Sequence, residues 1–407
     1  MTQTNQSLVD AISKVFEGRD AVSDIAHGAY QRFERQGLPH RRVEGWRWSD
    51  FRAVLREAQS PAASNPSVPI APSIFADRNP IEFRIIDGQI IQPDDIEPGM
   101  KVNTLGATAI VPDLEMNPIG SLNVAMAQKS AAVDIGAGSV IQRPILIRHI
   151  HNSSGFVFVQ SLVRVREGAS ATVIETFEGA GKGFYSYLAQ SDLRENAQLK
   201  RYVLTDCEDQ AARHVLMSMK QEKKSRFFQT SLSTGSVLSR EELFTRHMGQ
   251  QAETYLDSAA LLAGTHHADM TTTVKFNAPG GKVRQRHKGV AANRGRNIFQ
   301  GKFEVTRPAQ KTDAKMTANA MLLSDTAEAN HKPELEIYAD DVECAHGSTA
   351  GALDDDALFY LRQRGLDEQT ARSLLIEAFV GEVIDDIADD RARSVFQTKV
   401  EAWLAAL

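Results

Sequence analysis

Cysteine is nearly missing from this chain, with Cys207 and Cys344 the two thiols in 407 residues. Two are too few for a disulfide framework or for a tetrahedral zinc site built of cysteines. The scarcity favours a reducing compartment, in which a lone cysteine is a free thiol or a ligand. Long apolar runs are missing too, so no membrane-spanning helix is expected. The first residues, MTQTNQSLVD, lack the basic and apolar stretches of a secretory leader, and a cytoplasmic location is the expectation. Strong positive charge is absent: the net charge is −6, which gives no general attraction to nucleic acid or to an anionic membrane, and neither is expected as a partner. Phosphate-binding glycine loops are also lacking. No G-x-G-x-x-G occurs, and EGAGKGF (178–184) departs from the P-loop spacing, with Thr176 where the first glycine belongs and Gly183 where a hydroxyl belongs. That stretch reads as a turn, and the chain is not expected to bind ATP itself.

What is present is ordinary globular composition, 42% apolar and 24% charged, in a chain longer than a single compact core needs. Residues 7–58 carry apolar residues at helical spacing, and Gly37 and Pro39 stop the second helix. Ser49 is a candidate cap for a short third helix. The Pro-, Ser- and Ala-rich stretch 59–73 reads as a linker. From about residue 80 the period drops to two, with Asp87-Gly88 as a hairpin signal and one helix expected within 119–130.

A repeat then emerges. Polar turns followed by alternating strands begin at 166, 194, 221 and 249, spaced 28, 27 and 28 residues apart. Short strands at so fixed a period predict a solenoid, because one coil cannot bury its apolar face without a neighbour. The spacing predicts a β-helix over about 140–350, followed by helices that end the chain. Gly365 closes one of these, Asp367 caps the next, and residues 385–390 form an acidic patch. The organisation expected is a helical region and linker over 1–73, a β-rich region over 74–353 and a helical region over 354–407.

Candidate chemistry lies in four places. The basic stretch 280–302 alternates Val283, Gln285 and His287 with Arg284, Arg286 and Lys288, as one polar face of a coil would, and reads as a solvated or partner-facing surface. His266 and His267 are adjacent and point to opposite faces of a strand, whereas His149 and His151 share one, without a third ligand nearby. YADDVECAHGSTAG (338–351) is the richest stretch. Cys344 and His346 project from one face of an extended chain, a thiol and an imidazole suited to borderline metals such as iron, although a buried cysteine and a capped histidine would look the same. Asp340-Asp341 with His346-Gly347 also invites comparison with β-helix carbohydrate-active hydrolases, which need two carboxyl groups around one bond. Adjacent aspartates on a strand point apart, however, and no second aspartate cluster precedes them at a matching coil position.

The run from His287 to about residue 381, with PELEIYADDVECAHGSTAG and LFYLRQRG as its most specific parts, resembles the SufB/SufD family of iron–sulfur cluster assembly proteins. The looser repeats and RRVEGWRW (41–48) fit the same family. Ala345 and Gly347 flank the histidine where SufB-type sequences carry carboxylates, so the chain looks more like the SufD branch. The resemblance implies a mainly β fold, a right-handed parallel β-helix flanked by helical regions. It implies a non-enzymatic scaffold subunit that pairs with a SufB-like paralogue and, through the C-terminal helices, with a SufC-like ABC ATPase. It implies no tightly bound cofactor but a transient iron–sulfur cluster at the interface with the paralogue. In isolation a homodimer is conceivable. Carried onto this sequence, His346 becomes the candidate transient iron ligand and Cys344 its neighbour, with Phe379 and Leu375 as candidate docking residues. Cys207 matches no motif of the family.

Overall fold

A computed structural model describes residues 3–54, 60–63, 70–106, 117–205 and 211–407. Cys207 and much of the linker stretch lie outside the described residues.

The helical periodicity near the N-terminus becomes α1 (Gln3–Glu17) and α2 (Asp24–Gln36), followed by the single turn α3 (Phe51–Val54). Ser23 caps α2, its side chain accepting from the Ala26 amide, and Gly37 closes it. Ser49 does not serve as a cap. Its hydroxyl is buried and donates to Asp269, 220 residues away, because the segment lies across a sheet rather than in solvent. The expected inner helix is α4 (Pro118–Met126), with Asn117 accepting from the Gly120 amide.

Strands follow: β1 (Ile81–Ile86), β2 (Gln89–Ile91), β3 (Met100–Gly106), β4 (Lys129–Ile135), β5 (Ile145–Ile150), β6 (Gly155–Val165), β7 (Ser170–Glu178), β8 (Gly183–Leu193), β9 (Gln198–Thr205) and β10 (Ala211–Gln221). The series continues with β11 (Arg226–Ser233), β12 (Leu238–His247), β13 (Glu253–Leu262), β14 (His267–Phe276), β15 (Lys282–Ala291), β16 (Arg296–Val305), β17 (Asp313–Leu322), β18 (Glu328–Ile337) and β19 (Glu343–Ala352). From β4 onward, successive strands go to alternate sheets. One sheet runs β3-β4-β6-β8-β10-β12-β14-β16-β18, the other β2-β1-β5-β7-β9-β11-β13-β15-β17-β19. Every pairing is parallel except β1–β2 and β3–β4, so the chain winds as a two-sheet parallel solenoid. The sequence repeat is the coil itself: Ser170 aligns with Gln198, Gln198 with Arg226 and Arg226 with Glu253. The coil starts earlier than the repeat suggested, because β1 already pairs in parallel with β5. Asp87 (φ 44°) and Gly88 (φ 90°) form the turn of the expected β1–β2 hairpin, both in the left-handed region that such turns require.

Alternation sorts the side chains. Inward residues from both sheets, such as Phe83, Val173, Tyr187, Phe227, Val283 and Phe303, form the solenoid core. The outer face of the first sheet is roofed by α1, α2, α4 and the Trp46–Phe51 segment. The outer face of the second is roofed by α5 (Asp355–Gln363), α6 (Glu368–Ile384) and α7 (Asp390–Ala405). Three aspartates, Asp354, Asp367 and Asp389, cap these last helices through side-chain oxygens. The β15 half of the basic stretch 280–302 faces this layer: outward Arg286 bridges Asp257 and Asp386 at 2.7 Å each, and Lys288 meets Glu382 at 2.7 Å, whereas Arg296 and Lys302 on β16 pair with Glu328 and Glu336 of β18. The partner of that surface is the chain's own α6 and its C-terminal end. Among the described residues no helix is long and apolar enough to cross a membrane.

Candidate functional site: the open end of the solenoid

The two ends of the solenoid differ. At the first coil β2 and β3 fold back antiparallel along the sheet edges. At the last coil β18 and β19 are the outermost strands of their sheets, each paired on one side among the described residues. An unpaired strand edge is a template for association and is normally blunted by charge, proline or a bulge. β18 follows that rule, with Pro333 among Lys332, Glu334 and Glu336. β19 does not: after Glu343 it reads CAHGSTAGA, small and uncharged apart from His346.

Register tells which side chains face the lumen. Cys344 aligns with Ala314, His346 with Met316 and Ser348 with Ala318, all three partners belonging to the solenoid core. Cys344, His346 and Ser348 therefore form the inward row of the last strand, as the two-residue spacing predicted for the first pair. Opposite them on β18, His331 aligns with Phe299 and Leu335 with Phe303, again core positions, so these face the same mouth. Because no further coil covers this layer, His346 is exposed and Cys344 half-buried against the core edge. Burial pushes the Cys344 thiol up, partly offset by the Ala314 backbone and reinforced by the Asp313 carboxylate. The thiol is thus held protonated at neutral pH.

His331 and Ser348 escaped the reading of the sequence. His331 Nδ1 stands 2.9 Å from Ser348 Oγ and its Nε2 3.2 Å from Asn297 Nδ2. Strict alternation could have found Ser348, two residues beyond His346; His331 needed the pairing of the sheets. Among the described residues no three His, Cys, Asp or Glu side chains gather as a metal site. Asp340 and Asp341 lie exposed in the turn before β19, with Asp341 ion-paired to Lys311. This placement does not favour the hydrolase alternative.

The other candidates are dispersed. His149 and His151 are buried in the first coils, His149 Nδ1 2.9 Å from the Tyr185 hydroxyl and stacked on Phe177. His267 is buried beside Ser49 under the N-terminal segment. Phe379 and Leu375 are half-buried against the layer that covers the second sheet, with the Lys288 ammonium 4.6 Å from the Phe379 ring. The prominently exposed apolar side chains of that layer are Phe359 (64%) and Tyr360 (58%) on α5 and Leu374 (42%) on α6.

The family model described as SUF system FeS cluster assembly, SufBD core domain, matches residues 148–379, more than half of the chain. The chain belongs to the SufBD family. The matched segment runs from β5 through the open end into α6. The chain is similar to iron-sulfur cluster assembly protein SufD of Escherichia coli K12, 28% identical over 373 residues that cover 88% of each chain. It is 27% identical over 432 aligned positions to protein ABCI7, chloroplastic, of Arabidopsis thaliana, covering 99% of this chain and 90% of that one. To the SufBD family protein slr0076 of Synechocystis it is 32% identical over 281 residues, 66% of this chain and 62% of that one. Within the SufBD family the chain is SufD-like, in agreement with Ala345 and Gly347 on either side of His346.

Proposed function

We propose that this chain is a scaffold subunit of SUF iron–sulfur cluster assembly without turnover of its own. The open end of its solenoid pairs with a SufB-like paralogue, and the C-terminal helical layer carries a SufC-like ABC ATPase. A nascent cluster is the cargo, built where the two solenoid ends meet, with His346 as a transient iron ligand and Cys344 beside it. The observation that carries this reading is the inward row Cys344–His346–Ser348 on an unblunted terminal strand. It offers two ligand types but too few of them, so a partner surface supplies the rest. The same edge lets two copies pair when the paralogue is absent. A free thiol at an open mouth suits the reducing cytoplasm.

His346→Ala tests it. The side chain is exposed, so stability should change by less than about 0.5 kcal/mol, and assembly with SufB-like and SufC-like partners should persist. Iron and sulfide in the co-expressed complex should fall at least about tenfold. Cys344→Ser should lie between, since serine keeps the size but not the soft ligand. Full cluster content in His346→Ala would remove His346 from the ligand set.

The docking of the ATPase is tested separately. Phe359→Asp should weaken co-purification of the ATPase with a stability change under about 0.5 kcal/mol. Phe379→Asp forces a carboxylate between α6 and the sheet and should cost about 1–3 kcal/mol, read as an earlier urea midpoint. Equal ATPase recovery from wild type and Phe359→Asp would move the docking surface off α5.

A further inference from the structure

Five side chains form one hydrogen-bonded line from inside the solenoid to its open end. Ser258 Oγ lies 2.9 Å from His287 Nδ1, and His287 Nε2 3.0 Å from Asn297 Oδ1. Asn297 Nδ2 lies 3.2 Å from His331 Nε2, and His331 Nδ1 2.9 Å from Ser348 Oγ. A carboxamide has one accepting and one donating end, so Asn297 dictates both tautomers. It accepts from His287 Nε2–H, which leaves His287 Nδ1 to accept from the Ser258 hydroxyl. It donates to His331 Nε2, which leaves the His331 proton on Nδ1, donated to Ser348. Every donor in the line points toward the mouth.

The line is built in. Ser258, His287 and Asn297 are buried, and Phe299 stacks on the His287 ring with 5.0 Å between centroids. Asn297 reaches its place because residue 289 is glycine; a Cβ there would strike the carboxamide. Burial lowers His287 to about 3, helped by His331, and lowers His331 to about 4, so both rings are neutral and each keeps one donor and one acceptor. Aligned hydrogen bonds polarise one another, and the positive end of this line is the Ser348 hydroxyl. Since Ser348 accepts from His331, its own proton is left for a further acceptor. That hydroxyl sits two residues from His346 on the inward row.

We propose that Ser348, polarised by Ser258, His287, Asn297 and His331, is a positioning residue that donates a hydrogen bond to an anionic sulfur, sulfide or thiolate, held at the mouth beside His346 and Cys344. This assignment rests on the scaffold reading above. Hydrogen bonds to cluster sulfurs tune cluster potential and lability, so this chain gives the scaffold a handle on how tightly the cargo is held.

Two measurements test it. On the isolated chain, ring-¹⁵N histidine NMR at neutral pH should show His287 protonated on Nε2 and His331 on Nδ1; the reverse pattern, or a charged His331, overturns the line. On the complex co-expressed with SufB-like and SufC-like partners, Ser348→Ala should lose the visible absorbance of whatever cluster it holds to a chelator about tenfold faster than wild type, compared per iron bound. Ser348→Thr, which keeps the hydroxyl, should restore the slow rate. Wild-type lability in Ser348→Ala, or a threonine variant as labile as alanine, overturns the assignment. A wild-type complex that holds no iron overturns the scaffold reading and this role together, whereas the tautomer result bears on the line alone.

Discussion

Arg201→Ala is expected to lower the unfolding free energy by about 3–5 kcal/mol, the range for leaving a buried charge without its partner. Arg201 points into the lumen and is 1% exposed. Its guanidinium meets Glu175 at 2.6 Å, Gln229 at 2.6 Å and Glu241 at 3.1 Å. Burial opposes the charge on Arg201, but Glu175 and Glu241 outweigh it and hold the group cationic. Burial likewise pushes Glu241 up against the pull of Arg201. Removal of the cation leaves two carboxyl groups facing each other in a space from which water is excluded, as well as a cavity. A variant with Arg201→Met, Glu175→Leu and Glu241→Leu should recover most of the loss, because apolar replacement of a whole buried ion group is often neutral or better. Urea midpoints of the three proteins decide the matter. If the triple variant is no better than Arg201→Ala, the cost comes from lost packing rather than from stranded charge.

Acid should unfold this protein steeply, beginning well above the carboxylate range. Burial lowers His247, His267 and His287 to about 3 each, with nearby arginines adding to the effect at His267 and His331 at His287. In the unfolded chain a histidine titrates near about 6.5. The folded values are depressed, so these groups contribute stability that is complete above about pH 6.5 and is lost as pH falls toward 3, because the unfolded state takes up protons the folded state refuses. Each costs about 1.4 kcal/mol per pH unit in that window, so three cost about 4 kcal/mol per unit. The urea midpoint should drop sharply between pH 6.5 and 5 and stay level from 7 to 8. His247→Gln, which keeps a donor near Thr254, should lower the slope by about 1.4 kcal/mol per pH unit; an unchanged slope would mean that this ring is already protonated in the folded chain.

Much of the architecture was legible in the residues. The 28-residue spacing of polar turns is the coil length, since β7, β9, β11 and β13 align at that interval. The Asp367 cap, the Asp87-Gly88 hairpin and the helical tail followed from local chemistry. Ser49 misled because a hydroxyl before a short helix is a cap unless tertiary contacts claim it, and here Asp269 does. The alternation of the basic stretch was right, and its β15 half meets the chain's own α6 and the residues just after it, while its β16 half stays on the partly exposed face of the other sheet. The pairing of Cys344 with His346 needed nothing beyond the two-residue pleat. His331 was invisible, since it belongs to the other sheet and meets Ser348 through the winding of a whole half-coil.

By itself the sequence determined the period, the alternation and hence which side of each strand carries apolar groups, because backbone geometry repeats every two residues in a strand and neighbouring turns supply the rest. It determined also that a thiol and an imidazole share one face near the end of the solenoid. The tertiary structure alone decided that this face looks into the lumen, that the last coil is left uncovered, and that Arg201, Glu175 and Glu241 lie together inside. Those outcomes depend on which coils stack and where stacking stops, a matter of contacts between residues far apart in the chain, and no local propensity encodes them.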